Sequence, residues 1–318
     1  MPHRRVIFVY MPGCEVLDFA GPLQALHEAI ALGGGYRLEH CGTSANVLSA
    51  QGVVLAGLAP LPKVSAGDRV IVPGYPVRET TVPRSLLTWL KQSYESGASL
   101  YSVCTGAFAL AQAGLLNGRR CTTHWKRTAE LQKQYSAAKV LADRLFVEDG
   151  RIVTSAGIAS GIDMALAMIE RDHGPRLAVR VAREMVVYLR RDGAHPQGSV
   201  YLDFRTHLQP GIHAVQDWLS AQPTAKTQLP DLARRAHMST RNLTRTFREA
   251  TGITILEYRT RLRLEHARTL MRNPELSIEN IAEACGFADA RQFRRVWRQA
   301  YRAAPSRSRQ MVPSPGRW

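Results

Sequence analysis

The sequence predicts two successive folds. Residues 1–192 read as an α/β domain with a parallel sheet between helical layers, and residues 209–318 as an all-α domain, joined by a linker at 193–208. Three observations carry this. A chain of 318 residues divides more naturally into two domains than one. Over the first 190 residues short β-rich runs alternate with helical patterns, the order of a parallel sheet with helices on both faces. After Gln209-Pro210-Gly211 the strand patterns stop, and segments opening at Leu232 and Ile281 repeat one helical plan.

Arg4 and Arg5 precede the apolar run Val6–Tyr10, which ends at Pro12-Gly13. The run is too short for a signal-peptide core and reads as the first strand. Phe19 to Leu32 is a helix closed by Gly33-Gly34-Gly35. Arg69 to Pro73 is a buried strand stopped by Pro73-Gly74, and Pro83 opens a helix running to Tyr94. Leu100–Val103 is a strand that leads through Cys104-Thr105 straight into a helix at Gly106. Arg151–Ser155 is the next strand, followed by helices at Gly161–His173 and Arg176–Arg190. Asp192 to Gly198 is turn-rich and breaks the rhythm, which places the domain boundary there.

Composition narrows the function classes. No apolar run approaches the ~20 residues that span a bilayer. The five cysteines (Cys14, Cys41, Cys104, Cys121 and Cys285) are scattered and lack metal spacing, so a reducing cytoplasm is expected, with no metal and no cofactor. Net charge is +16 and unevenly placed: from Gln209 onward there are 19 Lys and Arg, 18 of them Arg, against 9 Asp and Glu. A basic domain beside a milder one suggests a polyanionic partner, although surplus surface arginine reads almost as well from charge alone.

The repeated helical plan sharpens this. Leu232–Met238 followed by Ser239–Phe247, and Ile281–Phe287 followed by Ala288–Trp297, each give a short helix, a turn and a second helix burying residues four apart, Leu243 with Phe247 and Phe293 with Trp297. Ser239 and Asp289 are N-cap candidates. Gly286 suits the turn of the second copy, where His237 stands in the first, and the second turn is one residue longer. This is the helix-turn-helix plan, whose second helix reads base edges in the major groove. The outward positions are Thr240, Arg241, Asn242, Thr244 and Arg245 in the first copy, and Ala290, Arg291, Gln292, Arg294 and Arg295 in the second. Arg pairs bidentately with guanine, and Asn or Gln with adenine. One such unit would be a weak signal; two, joined by a helix over Ile255–Met271, argue against a plain bundle.

Residues 239–252, Tyr258-Arg259, Arg261-Leu262-Arg263 and Ile281–Phe287 resemble the AraC/XylS family of regulators over 209–309. The resemblance implies that the joining helix sets both reading helices into successive major grooves. The family's Phe-Gly close is kept at Gly252 in the first copy, whereas Arg302 replaces the Gly in the second, and Ser308-Arg309 replaces the usual Tyr-Arg.

In the first domain, Leu100–Val103, Cys104 and the following helix form a strand–turn–helix that would present a thiol at a strained apex, where a helix N-terminus favours thiolate. By spacing alone Cys104 reads as a small buried residue. Glu15–Pro22, Val72-Pro73-Gly74, Ser102–Phe108, Ala113–Gly118, Thr122-Thr123-His124-Trp125 and Thr154–Ile158 with Gly161–Met164 then resemble the PfpI/ThiJ branch of the class I glutamine amidotransferase-like fold, a flavodoxin-like sandwich, over 4–190. Its fusions to AraC modules are GlxA-like regulators. The resemblance implies a pocket at the carboxyl ends of the strands, with Cys104 at the nucleophile position, Asp18 as its acid, and amides near Gly74-Tyr75 and Thr105 as an anion cradle. Ile158 lies in the last of these motifs, and His124 either lines the pocket or is a satisfied structural histidine. Thr105 stands where protease-like relatives carry His, and the set is similar to isocyanide hydratases.

The expectation is a non-enzymatic, ligand-responsive DNA-binding regulator. Its partners would be double-stranded operator DNA, an amine or amino-acid metabolite as inducer, RNA polymerase and a second copy of the chain, with no membrane. The alternative is a cysteine-dependent hydratase or hydrolase carrying a DNA-binding module.

Overall fold

The computed structural model describes residues 4–188, 190–271, 273–301 and 303–306. They divide into two compact units, Met1–Gln197 and Gly198–Trp318. The division falls inside the segment expected to be a linker, and each half of that segment packs with its own unit.

In chain order the first unit runs β1 (Arg4–Tyr10), α1 (Val16–Ala31), β2 (Tyr36–Gly42), β3 (Val47–Leu48), β4 (Val54–Leu55), β5 (Arg69–Val72), α2 (Arg84–Glu95), β6 (Ser99–Val103) and α3 (Gly106–Gln112). It continues with β7 (Arg120–Cys121), α4 (Thr128–Gln134), β8 (Lys139–Val140), β9 (Phe146–Asp149), β10 (Ile152–Ser155), α5 (Ser160–His173) and α6 (Pro175–Glu184). The main sheet has the order β2-β1-β5-β6-β10-β9. Five strands are parallel, and β9 joins antiparallel to β10, with Val153 opposite Glu148. The parallel five thus follow the 2-1-3-4-5 order of flavodoxin-like sheets.

Both faces are covered, as the alternation required. Phe19 and Leu26 of α1, Met164 and Ile169 of α5 and Val181 of α6 pack on one side. Leu86 and Leu90 of α2, Phe108 and Leu110 of α3 and Leu131 of α4 pack on the other. The central strands carry apolar side chains to both layers, which makes them readable as continuous apolar runs. Strands β2 and β9 are not legible in the sequence for the converse reason: as edge strands they contain Arg37, Glu39 and His40, or Glu148 and Asp149, and carry no such run. Helix α6 also ends earlier than expected, at Glu184, where Val186 turns the chain with φ +54°.

The second unit contains α7 (Pro210–Ala221), α8 (Leu229–Arg235), α9 (Thr240–Thr251), α10 (Ile255–Leu270), α11 (Ile278–Ala284) and α12 (Ala290–Tyr301). It has two cores. Ile212, Leu219, Leu232, Leu243, Phe247, Tyr258 and Leu262 form one; Leu264, Ala267, Ile281, Phe293 and Trp297 form the other. Helix α10 gives its first half to one and its second half to the other, so one rigid element bridges both lobes. Phe204 packs edge-on to Tyr258, at 5.9 Å between ring centroids, and its carbonyl accepts from Gln216 Nε2. Residues after Gly198 are therefore part of the first helical lobe.

Candidate ligand site and DNA-reading helices

Strand β6 ends at Val103 and α3 begins at Gly106, so Cys104 and Thr105 alone turn the chain. Cys104 adopts φ +54°, a left-handed conformation that non-glycine residues avoid. Gly106 is required beside it, because a Cβ there would lie 2.3 Å from the Val72 carbonyl oxygen. Gly157 is required opposite, where a Cβ would lie 2.7 Å from Cys104 Sγ. The turn is thus built by close backbone approach from β5 and from the loop after β10.

Asp18, in the first turn of α1, is fully buried against this turn. Its Oδ2 accepts from Gly74 N at 2.9 Å and its Oδ1 from Ile158 N at 2.8 Å. Ile158 is itself left-handed, at φ +45°, and its side chain is 44% exposed. The Thr105 hydroxyl accepts from Tyr75 N at 2.8 Å and donates to the Tyr75 carbonyl at 2.7 Å. The Thr123 hydroxyl donates to the Cys104 carbonyl at 2.8 Å. The structure therefore gathers Asp18, Gly74, Tyr75, Cys104, Thr105 and Ile158 at the carboxyl ends of β5, β6 and β10.

Two expectations change here. The amides of Gly74 and Tyr75 do not form an anion cradle, since Asp18 and Thr105 occupy them. The helix N-terminus does not make the thiol acidic. Burial, reinforced by the Asp18 charge, pushes Cys104 up to about 12, because removing an anion from water is costly. Burial also raises Asp18 to about 6, although two amides and the Cys104 thiol hydrogen-bond to it.

His124 is not joined to this group by any hydrogen bond among the described residues. Its Nδ1 accepts from Lys126 N at 3.4 Å, capping the 3-10 turn Trp125–Arg127. Burial and the neighbouring Lys126 and Arg127 hold it below the usual histidine range. The geometry fits the structural reading of His124. Thr123 is a site residue to which the sequence pattern assigns no role. Its signal was two consecutive threonines that turn out fully buried, which require partners.

In the helical unit the reading helices are α9 and α12. Ser239 caps α9 by accepting from Asn242 N, and Asp289 Oδ1 accepts from Gln292 N at 2.6 Å. His237 and Gly286 both turn with positive φ, +53° and +72°, at matching places. Leu243, Phe247, Phe293 and Trp297 are buried; Thr240, Arg241, Thr244, Arg245, Arg291, Arg294 and Arg295 are exposed, with Asn242, Ala290 and Gln292 half-buried. Their engagement differs. Asn242 Oδ1 accepts from Arg245, which also pairs with Glu249. Gln292 Oε1 accepts from Ala288 N, completing a cap, and Arg294 pairs with Glu279. Arg302, Ser308 and Arg309 lie outside the described residues.

Residues 4–171 match the DJ-1/PfpI family and residues 232–311 a helix-turn-helix domain family. The chain is 30% identical over 310 residues to the HTH-type transcriptional regulator CdhR of Pseudomonas aeruginosa, covering 96% of this chain and 91% of that one. It is 29% identical over 310 residues to the HTH-type transcriptional regulator GlxA of Rhizobium meliloti, covering 95% and 94%. The crystal structure of an AraC family transcriptional regulator from Pseudomonas putida shares the fold with a TM-score of 0.52, at 21% identity over 57% of this chain and 99% of that one. Both resemblances drawn from the sequence are thereby confirmed. With its buried Asp18–Cys104 turn in one unit and its duplicated, exposed arginine-bearing helices in the other, the chain belongs to the GlxA-like HTH-type transcriptional regulators, which join a DJ-1/PfpI domain to an AraC-type DNA-binding domain.

Proposed function

We propose that this regulator senses a small metabolite beside the Cys104 turn and that Asp18 and Cys104 serve recognition, not nucleophilic attack. The observation that carries this is a left-handed elbow at Cys104 whose thiol is buried beside the fully buried Asp18, a setting that disfavours thiolate. The ligand approaches at the exposed Ile158 side chain. The acid at Asp18 and the nearby Glu15 favour a cation or a polar neutral molecule, an amine or amino acid. Thr240, Arg241, Asn242, Thr244 and Arg245 in α9, and Arg291, Gln292, Arg294 and Arg295 in α12, contact double-stranded operator DNA. The working form is a homodimer in the cytoplasm, acting with RNA polymerase. A ligand shifts the response only by binding two states with different affinity.

The hydratase alternative is tested in the same experiment. Cys104→Ala in the full chain is expected to keep metabolite-dependent DNA binding. Turnover of an isocyanide by the native chain, abolished in Cys104→Ala, together with loss of the DNA response, would overturn the sensor reading.

A further inference from the structure

Residues 193–197 open the segment that the sequence assigns to a linker, and Arg191 and Asp192 precede it. Together, residues 191–197 form a strap bonded back onto the α/β unit. Arg191 gives its backbone N, Nε and Nη2 to Asp163 in the first turn of α5, at 3.0, 3.1 and 2.6 Å. Asp163 is 5% exposed, so this is a shielded, charge-assisted clamp. The His195 carbonyl accepts from Leu145 N at 2.9 Å, and the Leu145 carbonyl from Ala156 N at 2.7 Å. The Ala194 carbonyl accepts from Arg144. Gln197 Nε2 lies 3.0 Å from the Thr123 carbonyl, 3.0 Å from the Ala142 carbonyl and 3.2 Å from Thr122 Oγ1.

Two of these attachments lead directly to the Cys104 turn. Thr123 accepts from Gln197 through its carbonyl and donates through its hydroxyl to the Cys104 carbonyl. Ala156, one hydrogen bond from the His195 partner Leu145, is followed by Gly157, which abuts Cys104 Sγ, and Ile158, which bonds Asp18. The turn holds two non-glycine residues, Cys104 and Ile158, in left-handed conformations. Such residues are held only while their surroundings fix them, and each has a lower-energy alternative. A strained turn and a bonded path to the chain's exit therefore coincide.

We infer that the strap 191–197 is the transmission element of this regulator. Gln197 and Arg191 are positioning residues: a change in the backbone at Cys104 or Ile158 withdraws Thr123 or Leu145 and loosens the strap one residue before the helical unit begins at Gly198. The inference rests on the sensor reading for its purpose but not for its test, which needs no ligand.

The probe is a built-in perturbation of the turn in the full chain. Gly157→Ala would place a Cβ 2.4 Å from Cys104 Cβ, and Ile158→Gly releases the second strained residue with little threat to folding. Amide hydrogen exchange is followed by mass spectrometry over 192–197, beside binding to genomic DNA fragments. Both variants are expected to speed exchange in the strap about fivefold or more, the effect of losing one net hydrogen bond, and to change DNA affinity. In the Gln197→Leu background, which removes the amide donor to Thr123, strap exchange starts fast and the DNA response to Gly157→Ala, which acts on Cys104 directly, is reduced. Faster exchange at 104–106 and 157–158 with an unchanged strap would overturn the inference. So would a Gly157→Ala effect on DNA binding that persists undiminished in Gln197→Leu. If the coupling is found but no metabolite alters DNA binding, the sensor reading fails and the transmission element stands.

Discussion

Asp18 concentrates the chemistry of the first unit at one residue. Its two oxygens satisfy two backbone amides from different loops, Gly74 and Ile158. Asp18→Ala leaves the buried Gly74 amide without a partner, at about 1–3 kcal/mol, and the part-buried Ile158 amide adds less; a drop in the denaturation midpoint of the α/β unit measures it. The pH dependence has a defined sign. Burial raises the carboxyl from 3.8 to about 6, so the native state holds its proton more tightly than the unfolded chain. The stability this proton contributes is fully present below about 4 and is lost as pH rises to about 6. Carboxylates such as Glu39 and Asp149, which arginine and amide partners hold below the usual range, slope the other way. The prediction is therefore a difference: native minus Asp18→Asn unfolding free energy falls across that window. A flat difference in urea titrations at pH 4, 5 and 6 would mean that the carboxyl is not buried as described.

At the scale of elements, α9 and α12 have the same architecture and different polar engagement. Arg241 and Arg291 stand in the first turn of each helix, exposed and with no ion pair among the described residues. Arg245 and Arg294 are tied to Glu249 and Glu279. Arg241→Ala and Arg291→Ala are expected to cost ~1–3 kcal/mol at particular base pairs. Binding to a panel of single-base operator variants checks this, since equal loss on every sequence marks phosphate contacts instead. Ser239→Ala removes the α9 cap and is expected to lower stability by ~1 kcal/mol, read by thermal melting of the native chain and the variant. Helix α12 keeps a reciprocal cap through Asp289 and Gln292, so Gln292 has a structural bond to give up before it can meet adenine.

For the whole molecule, the boundary matters. Gln197 is bonded into the α/β unit and Phe204 into the helical lobe, so a cut between 197 and 198 severs fewer bonds than one at 208. The fragment 1–197 is expected to unfold cooperatively and bind no DNA. The fragment 198–318 is expected to bind DNA with an affinity that falls steeply as salt rises, as counterion release requires. Filter binding at a series of salt concentrations tests both, and specific binding by fragment 1–197 would refute this division of labour. A cut at 208 should instead strip Phe204 from Tyr258 and weaken the helical fragment.

The sequence alone determined whatever depends on local pattern. Central strands buried on both faces appear as apolar runs, the reading helices appear as buried residues four apart behind Ser239 and Asp289, and the turn at Cys104 appears as a strand entering a helix. Edge strands β2 and β9 were hidden because one-sided pairing leaves them polar. Only tertiary structure decided what the polar atoms at the turn do. The amides of Gly74 and Tyr75 are spent on Asp18 and Thr105, burial pushes the Cys104 thiol up, and Gln197 reaches Thr123 across 74 residues of chain. Hydrogen-bond partners distant in sequence and the cost of removing charge from water are properties of the packed chain, and no local pattern encodes them.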